Sequence, residues 1–74
     1  MSRLTPLRSR EVIRRLRALG YRGPMSRGRH RQMYNPRTGQ RIPIPMHGSR
    51  DISVGLIRDI IRRAGISREE WNSL

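Results

Sequence analysis

Few side chains in this chain can move a proton near neutral pH: His30 and His47, with Tyr21 and Tyr34 as more remote candidates. His30 stands in Ser26-Arg27-Gly28-Arg29-His30-Arg31, where a glycine lets the backbone approach a bulky anion and three guanidinium groups flank the imidazole. Neighbouring positive charge disfavours the imidazolium form, so an unliganded His30 is expected to be neutral and ready to accept a proton; a bound phosphate acts in the opposite direction. This combination suits phosphodiester chemistry. The imidazole would take a proton from a ribose 2′-hydroxyl while the arginines stabilise charge on the phosphoryl oxygens, and no metal is required. A single histidine in a basic loop also serves as a plain contact to phosphate or water, and residue types alone leave both readings open. His47, before Gly48, is either a matching general acid or a cap on the preceding strand.

Other chemistries find no support. Two histidines, no cysteine and dispersed carboxylates give no recognisable metal-ligand spacing. The order of residues suggests no acid–His–Ser constellation, and phosphate-binding glycine motifs of the P-loop or dinucleotide type are absent, so no cofactor is implied.

Arginine dominates the electrostatics. The chain has 17 arginines, no lysine and five acidic residues, for a net charge of +12, which favours polyanionic partners such as RNA. A guanidinium can grip two phosphate oxygens at once, so Arg27, Arg29 and Arg31, with Gly28 between them, form the expected RNA-binding set. They read charge rather than sequence, and few aromatics are present for base stacking, so broad substrate preference follows. The absence of cysteine excludes disulfides, thiolate zinc sites and thiol nucleophiles and points to the cytoplasm. No apolar run approaches the ~20 residues of a membrane span, and no signal peptide is evident.

At 74 residues the chain has room for one core and a shallow site. With 34% hydrophobic and 30% charged residues it is compatible with either a lean domain or a disordered basic tail, and the patterning decides for a fold. Residues 1–8 have no period and read as a loose leader; residues 9–74 read as a single domain. Ser9 is the expected N-cap of a helix over about residues 10–19, with Val12, Ile13, Leu16 and Leu19 on its apolar face and Gly20 as the stop. Its opposite face, with Arg10, Arg14, Arg15 and Arg17, is expected to be a solvated surface, the alternative being a contact to phosphate or to a partner. Residues 30–34 and 41–46 form a hairpin through Asn35-Pro36-Arg37-Thr38-Gly39. Pro43 and Pro45 place the second of these strands at a sheet edge. Residues 21–25 form a first strand, short or bulged at Gly23-Pro24. Residues 47–51 read as a loop. After Ser53, the spacing of Leu56, Ile57, Ile60, Ile61 and Ala64 predicts a second helix ended by Gly65. Ser67-Arg68-Glu69-Glu70 is a capping box that starts a short final helix, with Ile66 and Trp71 as its hydrophobic staple. Two amphipathic helices on one face of a small antiparallel sheet account for this order.

Five segments carry a family resemblance: Ser9-Arg10-Glu11-Val12-Ile13, Leu19-Gly20-Tyr21, Arg27-Gly28-Arg29-His30, Ile42-Pro43-Ile44-Pro45-Met46-His47, and the run from Gly55 to Ser67. In this order and spacing, over about residues 7–71, the chain resembles the HicA toxin family, also called YcfA-like. The resemblance implies an α+β fold of the double-stranded-RNA-binding-domain type, α-β-β-β-α, with a three-stranded antiparallel sheet and here a short C-terminal helix. It also implies a ribonuclease that cleaves mRNA without a metal and is neutralised by a HicB-type antitoxin. The family's catalytic histidine, in its Gly-Ser-His motif, maps onto His30 with Gly28 as the matching glycine; Arg29 stands at the serine position and adds a charge. The alternative from another class is a non-catalytic basic RNA-binding domain. A membrane-active basic peptide is disfavoured by the hairpin and the second helix.

Overall fold

The computed structural model describes residues 3–27, 30–45 and 50–74, without the side chains of Arg27 and His30. Its elements run β1 (Leu7–Arg8), α1 (Ser9–Ala18), β2 (Arg22–Arg27), β3 (His30–Tyr34), β4 (Arg41–Pro43), β5 (Asp51–Ile52), α2 (Val54–Ala64) and α3 (Arg68–Asn72). Strands β2, β3 and β4 form a three-stranded antiparallel sheet in that order, and β1 pairs with β5 in a separate two-stranded ribbon. The architecture is α+β, a three-stranded sheet flanked by helices in the order α-β-β-β-α, as the sequence predicts.

Alternation along the strands separates an inner from an outer sheet face. Met33 of β3 and Ile42 of β4 are fully buried register partners, whereas Gln32, Tyr34, Arg41 and Pro43 retain exposure. Val12 and Leu16 from α1, Ile57 from α2, Ile52 from β5 and Trp71 from α3 complete the fully buried centre. Strand β4 lies at the sheet edge, where Pro43 costs no ladder bond; the ladder continues one residue further as Ile44 N–H donates to the Arg31 carbonyl at 2.9 Å.

The turn between β3 and β4 is closed by Asn35 N–H to Gln40 O at 2.9 Å and Gly39 N–H to Asn35 O at 2.8 Å. The buried Asn35 side chain accepts from Arg37 N–H at 3.0 Å, and Gly39 takes φ of +78°. Helix α2 begins at the Ser53 cap, whose Oγ accepts from Leu56 N–H at 3.3 Å, and ends at left-handed Gly65. The Ser67–Glu70 capping box is present at the start of α3.

Four local expectations are corrected. Ser9 is not the N-cap: Arg8 occupies that position in extended conformation without a side-chain bond, and Ser9 is already buried within α1. Pairing of Arg8 with Asp51 holds the backbone extended up to the helix start. The segment read as a leader thus contributes Leu7 and Arg8 to β1, and Leu4 and Leu7 pack against the core. Asp51, assigned to a loop, is half of β5; a two-residue strand is too short to show alternation. Leu56, placed on the apolar stripe of α2, is 40% exposed, because the buried stripe runs through Ile57, Ile60 and Ile61.

Candidate nucleic-acid interface

The register of β2 against β3 brings the backbones of Arg27, His30 and Arg31 to one end of the sheet. Arg27 pairs through its backbone with His30, Ser26 with Arg31 and Met25 with Gln32. Gly28 and Arg29, and the side chains of Arg27 and His30, lie outside the described residues, as does His47. Of the expected set, Arg31 has a described side chain. It is exposed, next to His30 in β3, and it lines an open concavity of about 740 Å³.

The concavity joins helix to sheet. Arg10, Ile13, Arg14 and Arg17 share one face of α1, at the i, i+3, i+4 and i+7 positions where helical side chains align. Pro24 of β2 and Arg31 of β3 face them, and Arg8 and Glu11 complete the lining. The expectation of a solvated helix face holds for three of its arginines: Arg10, Arg14 and Arg17 are exposed, and they form one wall of an open groove whose other wall belongs to the hairpin. The spacing 10, 14 and 17 carried that signal. What it pointed toward depended on the path of β2 and β3.

Arg15 departs from the expectation. Its Cζ lies 5.3 Å from the centroid of the Trp71 ring, and Nη1 donates to the Trp71 carbonyl at 3.3 Å, so it is tucked against α3 and only partly solvated.

Five arginines against one glutamate make the lining strongly positive, and the glutamate is already engaged. Arg14 donates to Glu11 from Nε at 2.8 Å and Nη2 at 2.6 Å, and Arg15 Nε donates at 2.7 Å. These bonds, Arg14 first and Arg15 second, hold the Glu11 carboxyl at a pKa of about 2, against a smaller opposing effect of burial. The hydrogen bond to Glu11 in turn raises the Arg14 guanidinium above its ordinary value. Arg8 is paired with Asp51 at 3.3 Å. Among the described residues, Arg10, Arg17 and Arg31 have no carboxylate partner.

The aromatics offer little stacking surface. Tyr21 is 5% exposed, with burial pushing its phenol pKa up and the Asn35 hydrogen bond acting against it, and Trp71 is 1% exposed. Tyr34 is half-buried on the outer sheet face and already carries Arg41, whose Cζ is 5.0 Å from its ring centroid.

Among the described residues, no helix is long and apolar enough to cross a membrane. A family model described as HicA toxin of bacterial toxin-antitoxin matches residues 9–66, from the first residue of α1 to the residue before the α3 cap. No curated protein matches the chain.

Proposed function

The chain belongs to the HicA toxin family of bacterial toxin–antitoxin systems, and from that premise we propose that it is a metal-independent endoribonuclease acting on mRNA in the cytoplasm. His30 is the general acid and base. Its neutral imidazole takes the 2′-hydroxyl proton as the 2′-oxygen bonds to phosphorus; the bond from phosphorus to the 5′-oxygen then breaks and the leaving oxygen takes up a proton. The products are a 2′,3′-cyclic phosphate and a 5′-hydroxyl end. Arg27, Arg29 and Arg31 hold the phosphate and stabilise the charge gathering on its oxygens, and Gly28 permits close approach.

The observation that supports this reading is the continuity of β3 with the basic groove: Arg31, one residue after His30, is exposed there beside Arg10 and Arg17. A HicB-type antitoxin neutralises the toxin by laying carboxylates over this arginine surface, which makes their association salt-sensitive.

The test is cleavage of RNA in EDTA by wild-type protein and His30→Ala. The expected result is cleavage by the first, none by the second, and RNA binding by both. Equal cleavage by the two proteins removes His30 from the mechanism, and binding without cleavage by wild type leaves a non-catalytic RNA-binding domain.

A further inference from the structure

We propose that the groove between α1 and the β2–β3 hairpin is a second phosphate subsite for single-stranded RNA, in which Arg10 engages the backbone phosphate beside the one that Arg31 helps to hold and that is cleaved at His30. This rests on the nuclease reading above and adds to it a path for the substrate.

Three observations carry it. The first is uncompensated charge: Arg10, Arg17 and Arg31 converge on one concavity without a carboxylate partner among the described residues, and Glu11 is already held by Arg14 and Arg15. The second is layout. Arg10 and Arg17 lie seven residues apart on one helix face, roughly 10 Å along the axis at 1.5 Å per residue, so the positive charge forms a row rather than a point. A row fits a chain of phosphates better than a single anion. The third is preorganisation and size: the Gly23 carbonyl accepts from Arg17 Nε at 3.0 Å and Nη2 at 2.7 Å, fixing that cation at the groove wall. Pro24, half-buried, gives the groove apolar surface for a sugar or base. Its volume, about 740 Å³, is that of a ligand-binding cleft, and it is open to solvent along its length, as a strand of RNA requires. Arg31 belongs to the groove and directly follows His30, so an RNA strand held at the hairpin has the groove as its adjoining cationic surface.

The experiment measures binding of a fluorescent single-stranded RNA to His30→Ala protein over a range of salt, with R10Q, R31Q, the double substitution and R58Q added in that background. Arg58 is exposed on α2 and does not line the groove, so R58Q removes one charge elsewhere. Each lost phosphate contact is expected to reduce the slope of log K against log salt by about 0.7, hence about 1.4 for the double substitution, with R58Q leaving the slope unchanged. The Arg10 side chain makes no protein hydrogen bond among the described residues, so R10Q tests the groove without disturbing the fold. An equal effect of R58Q and R10Q would show diffuse attraction and overturn the subsite. So would an unchanged slope in R10Q, or a loss confined to binding of an acidic antitoxin. If R10Q carrying His30 binds RNA with an unchanged salt slope and cleaves it normally, the subsite fails while the nuclease stands; if wild type neither binds nor cleaves RNA, both fail.

Discussion

The Arg17 guanidinium donates two hydrogen bonds to the Gly23 carbonyl, tying the last turn of α1 to the irregularity in β2. Gly23 sits at φ of +118°, and a Cβ there would lie 2.9 Å from both the Gln32 carbonyl oxygen and the Met25 nitrogen. Neither backbone atom can move without disturbing the β2–β3 ladder that carries Arg27 and His30. Gly23→Ala is therefore expected to destabilise by about 1–3 kcal/mol through backbone strain alone. Arg17→Met, which removes an exposed charge-assisted contact, should cost about 1 kcal/mol. Urea unfolding measures both, and a neutral Gly23→Ala would show that the kink is not required.

Adjacent residues on α2 give a second, sharper contrast. Leu56 is 40% exposed and Ile57 is fully buried. Leu56→Ala should change stability by less than about 0.5 kcal/mol. Ile57→Ala should cost about 2–5 kcal/mol, the sum of lost transfer energy and the cavity left in the core. Comparable unfolding midpoints for the two variants would contradict the packing described.

That contrast marks how far the sequence could be read. Ser53, Gly65, Ser67 and Glu70 act through bonds within a few residues of themselves, so the bounds of α2 and the start of α3 were legible. The Asn35–Gly39 turn was legible for the same reason, and so was the edge position of the strand with Pro43. Ser9 was misread because the helix start is set by Arg8 pairing with Asp51, 43 residues away, which no local pattern reports. The basic groove was half legible: the spacing of Arg10, Arg14 and Arg17 is visible in the sequence, yet Arg31 and Pro24 reach the same concavity only once β2 and β3 lie beside α1.

Trp71 links the C-terminal helix to the rest of the domain. Its ring is 1% exposed, lies against the Arg15 guanidinium and shares the core with Leu16 and Ile57. Trp71→Ala should cost about 3–5 kcal/mol. A chain of this length has total stability of about 4–11 kcal/mol, so this loss is a large share of it. Thermal unfolding by near-UV circular dichroism is the check, and a midpoint within a few degrees of wild type would mean that α3 is peripheral.

The pH dependence of stability should carry the mark of Glu11. Its carboxyl is held at about 2 in the folded chain by hydrogen bonds from Arg14 and Arg15, below the ordinary value of 4.5. Because the folded value is the lower one, the unfolded chain binds the proton more readily as pH falls. The stabilisation is complete above about pH 4.5, declines through the interval below it and is lost as pH drops through about 2. In Glu11→Gln this contribution is absent at every pH. The difference in urea midpoint between wild type and Glu11→Gln should thus be largest near neutrality, shrink from pH 5 to pH 2, and be reduced by salt because Arg14 is exposed. Parallel midpoint curves over that interval would show that the Arg14–Glu11–Arg15 cluster contributes nothing to folding, and the ordering of the groove wall would then have to come from Arg17 and Gly23 instead.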